Sequence, residues 1–413
     1  MLSSTRERGS AFVQTWWRLL RVHNVRRLAG MRFLNNMYFY SAVIVLFETS
    51  RGLDFTGIFL LEAVLLLASW LLDIPTGVWA DRIGYRRLLI TSCALNAASV
   101  VVTLLAHGFW QFAIGSALFG AGIACASGAE DALLLRSLAQ AESREPSGSA
   151  FALLGACGSA GFVIGLATGT LFAANDPTLA VAATLAPATL AILVAWTLRP
   201  VAQAASADDT GERLAARAVA PLLAAWRLIR SRPALIGLGL VESASWVCAN
   251  AIFWYNQPFL GRAGVATRWF GPLTAIAVAG AVVTPLLLPV ARRWLSRRVC
   301  FALALIAPGL AYLALATAGG AAAVVALIAL IVAASAWAPP LLREAINQGV
   351  TDKARATTLS ALSFIGALAG MAANALVGRA GDAGLGVVGY GLGAALIGLG
   401  LFAPWLMARE PTR

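Results

Sequence analysis

The chain has 413 residues, of which 60% are hydrophobic and only 12% are charged, and its mean hydropathy is +0.79. Soluble domains carry about 25% charged residues, so this chain has too few charged side chains to cover a water-facing surface. Its net charge of +12 comes from 31 basic residues that lie between apolar blocks, where they direct membrane topology. The composition indicates an all-α membrane protein and argues against nucleic-acid binding.

The chain lacks the residue clusters that metal sites and enzymes need. Its five cysteines lie singly in or beside apolar blocks, no Cys-x-x-Cys pair occurs, and there are only two histidines. We therefore expect no metal site, no cofactor and no disulfide framework. Neither histidine forms a known catalytic motif with a cysteine or a carboxylate, so we expect no enzyme activity. The phosphate-binding pattern G-x-x-x-x-G-K-[ST] is also missing, which favours an ion gradient as the energy source.

Apolar blocks of about 20 residues, the length that crosses ~30 Å of hydrocarbon, recur twelve times along the chain. We number them span 1 to span 12: 29–49, 56–79, 88–106, 109–134, 150–174, 178–198, 234–257, 268–290, 299–318, 321–341, 356–377 and 384–407. The pattern predicts a tail (1–28), a six-helix bundle (29–198), a linker (199–233), a second six-helix bundle (234–407) and a short tail (408–413).

The basic residues are distributed very unevenly between the two sides of these spans. Of the 31, 26 lie in the two tails, in the linker, or in the other loops that follow even-numbered spans. Because cytoplasmic loops carry the excess of arginine and lysine, we expect both termini and the linker to be cytoplasmic.

An internal repeat supports two related halves. The pattern of Ala80 followed by Arg86-Arg87 after span 2 recurs with the same spacing as Ala291 and Arg297-Arg298 after span 8. Parallel halves joined by a long loop are typical of transporters, whose substrate site lies between the halves near the bilayer midplane.

The loop after span 2 carries a distinctive motif. It reads Gly77-Val-Trp-Ala-Asp81-Arg82-Ile-Gly84-Tyr-Arg86-Arg87. Gly77 lets another helix approach closely, and Gly84 permits a tight turn. Asp81 at the membrane edge can meet a helix N-terminus or an arginine, while Arg86 and Arg87 anchor the loop to the inner leaflet.

This motif resembles the G-x-x-x-D-R-x-G-x-R-R signature of the major facilitator superfamily, in the loop where that family carries it. The twelve spans and the six-plus-six division agree with the resemblance over nearly the whole chain. It implies two pseudo-symmetric six-helix halves that move a small molecule by alternating access. The motif residues Gly77, Asp81, Arg82, Gly84 and Arg86-Arg87 would then form a conformational gate.

Three shorter stretches are similar to a bacterial multidrug and macrolide efflux branch of this superfamily: 72–77, 127–133 and 355–360. The similarity implies proton-coupled antiport of an amphipathic drug or natural product out of the cell, by a monomer in the bacterial plasma membrane. In span 4, however, Ser116 occupies the position where better-known drug:proton antiporters carry an arginine. Uptake of a small metabolite, or uniport, is therefore the alternative.

Ionisable side chains within the spans are the candidates for coupling and binding, because each costs ~2.5 kcal/mol or more in hydrocarbon and so faces a cavity or a partner. Asp73 lies in the inner half of span 2. One interpretation makes it a protonatable coupling carboxylate or part of a gate. The other pairs it permanently with Arg32, Asn35 or Asn36 of span 1.

Span 4 contributes Glu130 and the adjacent Asp131. Neighbouring residues of a helix point ~100° apart, so we expect at most one of these carboxylates to face the cavity. Glu130 is the better candidate, since members of the resembled family tend to carry a carboxylate near that position. An ion pair between Glu130 and Arg136 at the cytoplasmic edge is the alternative.

Spans 7 and 10 complete the set of candidates. Glu242 and Trp246 share one face of span 7 and suit a cationic or amphipathic substrate, by charge and by cation–π contact. We predict that the polar and aromatic residues 254–257, at the outer end of the same span, lie at the membrane–water interface as part of an aromatic belt.

Span 10 carries the substrate candidate Trp337. Pro339 and Pro340, which follow it, predict a break or kink that could serve as a hinge. Arg343 and Glu344 at the inner end form either an inner gate or a simple surface pair.

Overall fold

The computed structural model of the chain describes residues 14–143, 145–173, 176–201, 233–349 and 355–408. The described residues form helices joined by short loops. The predicted linker 199–233 lies almost wholly outside the described residues, as does the C-terminal tail.

The contacts divide the chain into two compact units. The first comprises Met1–Ser41 and Leu67–Thr210, and the second comprises Ala42–Leu66 and Gly211–Arg413. The second unit therefore takes in the C-terminal part of span 1 and the N-terminal part of span 2 as well as the second half of the sequence. The two predicted bundles, with bounds at 29–198 and 234–407, stay a prediction.

Most predicted spans are helices of the expected length. The helices are span 2, Phe55–Ile83; span 3, Tyr85–Leu105; span 4, Phe109–Gln140; span 5, Ser147–Phe172; span 6, Pro177–Trp196; span 7, Pro233–Arg262; span 8, Phe270–Val283, Thr284–Leu287 and Leu288–Ala291; span 9, Arg297–Thr317; span 10, Ala321–Ser335 and Ala338–Gly349; span 11, Arg355–Ala383; span 12, Leu385–Ala408. Eleven stretches of the described chain are long and apolar enough to cross a membrane.

Span 1 is the exception, and the prediction of one continuous helix over 29–49 was wrong. The segment forms a helix His23–Asn35, a 3₁₀ turn Phe39–Ala42 and a short helix Ile44–Ser50. Adjacent asparagines end the first helix, because asparagine side chains compete with the backbone for hydrogen bonds. Within the break, the amide of Tyr40 donates to the Thr184 hydroxyl of span 6. Irregular backbone is tolerated at membrane depth where protein surrounds it or a cavity is lined by it.

The predicted break in span 10 is confirmed. Its first helix ends at Ser335, and the second begins at Ala338, directly before Pro339 and Pro340. Proline fits the first turn of a helix, where its missing N–H has no helical partner.

The helix contacts repeat with a period of six spans. In the first half, span 3 packs on spans 4 and 6, and span 1 packs on spans 5 and 6. In the second half, span 9 packs on spans 10 and 12, and span 7 packs on spans 11 and 12. The weak sequence repeat therefore corresponds to a repeated packing pattern.

Each unit has its own apolar core, and large apolar side chains also cover its outer faces. In the first unit Leu28, Leu89 and Leu133 are fully buried, and in the second unit Phe301 and Tyr312 are. Outward-facing examples such as Leu171 and Leu286 expose 73% of their surface. Apolar residues on the inside and the outside are expected of helices surrounded by lipid.

Candidate functional site

The first unit contains a polar cavity of about 470 Å³. Spans 1, 3 and 4 supply its walls, and the residues from these spans include candidates predicted from the sequence. Its polar lining consists of Arg32, Asn35, Asn36, Ser92, Asn96, Ser127, Glu130 and Asp131, with the Tyr38 and Phe119 rings beside them. This volume is within the range typical of small-molecule sites.

The end of the first helix of span 1 forms one wall of this cavity, and side-chain amides satisfy its free carbonyls. The Asn36 amide donates to the Arg32 carbonyl oxygen at 2.8 Å. The Asn96 amide of span 3 donates to the Asn35 carbonyl at 3.3 Å and to the Asn35 side-chain oxygen at 2.7 Å. It also donates to the Tyr38 hydroxyl at 3.2 Å.

A glycine face on span 5 brings that helix into backbone contact with span 1. A Cβ added to Gly161 would overlap the Phe33 carbonyl oxygen, and one added to Gly169 would overlap that of Phe39. Closer to the cavity, a Cβ on Gly158 would lie 3.3 Å from Cγ of Arg32. The glycines therefore serve helix packing, and Gly158 in addition borders a residue of the candidate site.

Arg32 and Glu130 form an ion pair across the cavity. Nη1 of Arg32 lies 3.1 Å from Oε1 of Glu130, and the side chains are 39% and 9% exposed, respectively. The alternative partner of Glu130 is not observed: Arg136 lies over the Tyr85 ring, 5.1 Å from its centroid. Removing one member of a pair with a buried carboxylate leaves an uncompensated charge, which is costly.

Asp73 has a hydrogen-bond partner that the sequence analysis did not name. Its Oδ1 accepts a 2.8 Å hydrogen bond from the Ser127 hydroxyl of span 4. The alternative in which Asp73 pairs with Arg32 is not what the structure shows, because Arg32 is bound to Glu130. Asp73 is exposed, so it has less need of a permanent partner than Glu130 has.

The expectation that only one of the two adjacent carboxylates faces the cavity was wrong. Glu130 is buried and Asp131 is exposed, yet both line the cavity. With Asp73 bound to the lining residue Ser127, three carboxylates stand against the Arg32 guanidinium in this part of the described chain. The local charge is therefore net negative.

Asn96 and Ser127 are the functional candidates that the sequence analysis missed. Asn96 is 3% exposed although it lies in the middle of an apolar span. A single asparagine in an apolar helix could have indicated a polar site in the sequence, because a buried side-chain amide needs several hydrogen-bond partners. Ser127 had no comparable signal, because serine occurs freely in membrane helices.

The second unit holds the candidates of spans 7 and 10. Glu242 is half-buried, and the charge of Arg343 acts on it. Trp246 is 44% exposed. Trp337 donates its indole N–H to the Thr284 carbonyl oxygen at 2.8 Å, so helix packing accounts for its position.

Glu344 bonds to the loop after span 8. One of its oxygens lies 2.7 Å from Nη1 of Arg292, and the other lies 3.9 Å from Nη1 of Arg297. Arg297 belongs to the repeated motif, so Glu344 connects the C-terminal part of span 10 to that loop.

The outer end of span 7 is not the interfacial belt that we predicted. Tyr255, Asn256 and Gln257 are at most 2% exposed. The Gln257 side-chain oxygen accepts from the backbone amides of Val45 and Leu46 at 3.1 and 3.3 Å. These residues pack inside the second unit, because the C-terminal part of span 1 belongs to that unit.

The motif after span 2 forms the turn between spans 2 and 3. Gly84 has a φ of 95°, a left-handed conformation that favours glycine. Arg86 donates to the Trp196 carbonyl at 2.6 Å and thus satisfies the end of the span 6 helix. Arg82 and Arg87 are exposed, whereas the Asp81 side chain lies outside the described part of the structure.

Gly77 does not make the close helix contact that the motif predicted. Within the described residues, no atom lies within 4 Å of the place where a Cβ would be.

Solved transporter structures share the fold at low sequence identity. The nucleoside transporter NupG has a TM-score of 0.73 at 14% identity, covering 94% of this chain and 99% of that chain. The peptide transporter POT in complex with sulfate has a TM-score of 0.72 at 16% identity, covering 94% of each chain. A bacterial homolog of the human lysosomal transporter Spinster, inward-facing and occupied, has a TM-score of 0.70 at 16% identity, covering 95% and 97%.

A search of curated proteins found no match to the sequence. The family model described as Major Facilitator Superfamily, by contrast, matches residues 28–374, which is most of the chain. Together with the twelve-span fold and the transporter structures, this match identifies the protein as a multi-pass membrane transporter and not an enzyme. The chain belongs to the major facilitator superfamily.

Proposed function

We propose that the protein is a proton-coupled antiporter that exports amphipathic, positively charged compounds. The observation that carries this proposal is the cavity of the first unit, where Glu130, Asp131 and the Ser127-bound Asp73 outnumber the single Arg32 guanidinium. A negative cavity attracts cations, and the Tyr38 and Phe119 rings supply an apolar surface and cation–π contacts.

Glu130 is the carboxylate that we assign to coupling. Its ionisable neighbours in the cavity include Arg32 of span 1, with which it pairs, and the adjacent Asp131. A buried carboxylate is stable when a cation pairs with it or when it is protonated. Proton and cargo therefore compete for one group, which is the requirement for antiport.

Asp73 and Glu242 take supporting roles in this proposal. Asp73 adds negative charge beside the cavity through its bond to Ser127. Glu242, on which the charge of Arg343 acts, supplies an acidic group to the second unit. The motif of spans 2 and 3 and the bonds of Glu344 to Arg292 would act as gates during alternating access.

We infer that the transporter acts as a monomer in a bacterial plasma membrane with both termini in the cytoplasm. The support for the orientation is the clustering of 26 of the 31 basic residues on one side of the spans.

The test is proton movement in inside-out vesicles that contain the transporter. A preformed pH gradient should collapse when lipophilic amines are added, and Glu130→Gln should slow the collapse at least about tenfold, a loss of ~1.4 kcal/mol. Asp73→Asn should have a smaller effect, because Asp73 is exposed and has a neutral partner. Glu142→Gln, in an exposed loop, is the matched control. Folded protein that collapses no gradient with any amine would refute the proposal.

Uptake or uniport of an anionic metabolite is the second candidate function. The observation in its favour is that the Arg32 side chain remains 39% exposed while it pairs with Glu130, so an anion could reach it. Proteoliposomes that accumulate small carboxylates without any response to a proton uncoupler would support this alternative.

A further inference from the structure

The buried carboxylate of Glu130 has the protein's own cation as its partner. Arg32 holds this place with a long side chain that is 39% exposed, whereas the Glu130 side chain is 9% exposed and enclosed. The arginine can therefore move away and the glutamate cannot. A cation that replaces Arg32 must balance the negative charge of the buried Glu130 carboxylate as well as Arg32 does.

The hydrogen bonds of the cavity wall indicate which kind of cation fits. Three side chains of the wall already donate hydrogen bonds to protein acceptors, so these donors are not available to a ligand. Ser92 donates to the Gly122 carbonyl, Ser127 to Asp73, and Asn96 to Asn35. Among the described residues of this wall, Oδ1 of Asn96 is a buried acceptor that makes no hydrogen bond, whereas the buried Oε1 of Glu130 has the Arg32 guanidinium 3.1 Å away as its partner. Both atoms are acceptors. Because a buried acceptor requires a donor, a group that displaces Arg32 must itself carry an N–H for Oε1 of Glu130.

The two acceptors lie on neighbouring surfaces of the same cavity. Asn96 of span 3 and Glu130 of span 4 are both lining residues of this cavity. Neither oxygen has accessible surface in this structure. Glu130 lies under the Arg32 guanidinium, so a ligand gains access when that guanidinium leaves. The ligand must then supply both a positive charge and at least one N–H.

We propose that Arg32 is a built-in competitor of the cargo, and that the cargo is a protonated amine whose N–H displaces the Arg32 guanidinium from Glu130. Quaternary ammonium compounds carry the charge without the N–H donor, so they bind less tightly. This inference rests on the proposed export of cations and names their chemical class.

The test is equilibrium binding to the purified full-length protein in detergent, without any gradient. The probes are N,N-dimethylphenethylamine, which is protonated at neutral pH, and its quaternary analogue N,N,N-trimethylphenethylammonium. The wild type should bind the amine about tenfold more tightly than the quaternary compound. Arg32→Gln should strengthen amine binding about tenfold, because the competitor is gone.

The controls separate this effect from general changes of charge or folding. Arg26→Gln removes the same charge from an exposed position on the same helix and should leave binding unchanged. Glu130→Gln should abolish the preference for the amine, and Glu130→Asp, which keeps the charge, should retain part of it. Thermal unfolding identifies any variant that is not folded.

Equal binding of the two probes to the wild type, or amine binding that Arg32→Gln does not strengthen, would overturn the inference. The proposed function fails separately. If the amine binds in this pattern but collapses no pH gradient, the proton coupling is wrong and the site stands. If the amine collapses the gradient but both probes bind equally, the site assignment is wrong and the coupling stands.

Discussion

Gly158 of span 5 determines how much room the Arg32 side chain has. A Cβ at this position would lie 3.3 Å from Cγ and 3.4 Å from Nε of Arg32. An alanine there needs a shift of a few tenths of an ångström, which a flexible arginine can make. A larger side chain needs the space that Arg32 occupies.

Gly158→Leu should therefore displace the Arg32 guanidinium from Glu130 and reproduce the effect of Arg32→Gln. We expect amine binding to be strengthened several-fold and approach the tenfold change that we expect of Arg32→Gln. The measurement is the same probe binding in detergent. Gly155→Leu is the control, because this glycine is on the same helix and, among the described residues, no atom of another helix lies within 4 Å of the added Cβ. A weakened affinity in a folded Gly158→Leu variant would show that position 158 acts on the cargo directly.

At the scale of elements, the contact between spans 1 and 5 depends on glycine. Gly161 and Gly169 face carbonyl oxygens of span 1, which are backbone atoms and cannot rotate away. We expect Gly161→Ala and Gly169→Ala each to destabilise the protein by about 1–3 kcal/mol. Thermal unfolding in detergent should show lower midpoints for both. Gly155→Ala should leave the midpoint unchanged, and equal midpoints for all three variants would contradict the packing described here.

The break in span 1 is a feature that hydropathy did not predict. Apolar length predicted eleven of the twelve spans, because a helix that crosses hydrocarbon needs about 20 apolar residues whatever its neighbours are. The break depends on groups that are distant in sequence, namely the Asn96 amide and the span 5 glycines. The Asn35-Asn36 pair was the local sign of it, and two asparagines alone do not distinguish a break from a polar face.

The sequence predicted which residues are candidates for the site, but it did not predict which of them form ion pairs with one another. The cost of charge in hydrocarbon singled out Arg32, Asp73 and Glu130 as candidates, and the structure places Arg32 and Glu130 at one cavity, with Asp73 bonded to the lining residue Ser127. The sequence analysis named Arg136 only as an alternative partner of Glu130 and did not name Arg32, which the structure brings from another helix. Which charges meet depends on how helices pack, and a single sequence does not carry that information.

For the whole molecule, the six-span repeat relates helices that carry charged residues of opposite sign. In the first unit the arginine is on span 1 and the glutamate on span 4. In the second unit the glutamate, Glu242, is on span 7 and the arginine, Arg343, is on span 10. Spans 1 and 7 are equivalent in the repeat, as are spans 4 and 10. The fold thus places one acidic and one basic group on matching helices of each half, with the signs exchanged.

The orientation of the molecule yields the last prediction, because 26 of the 31 basic residues lie on one side of the spans. Cysteine labelling can test it. Four of the five native cysteines are buried and only Cys157 is partly exposed. The Cys157→Ser variant should therefore react little with a maleimide and serve as the background for single-cysteine variants. Ala266, between spans 7 and 8, and Ala141, after span 4, are exposed positions on opposite predicted sides. A membrane-impermeant maleimide should label Ala266→Cys in intact cells and Ala141→Cys only in inside-out vesicles. The reverse pattern would place both termini outside and turn the proposed export into uptake.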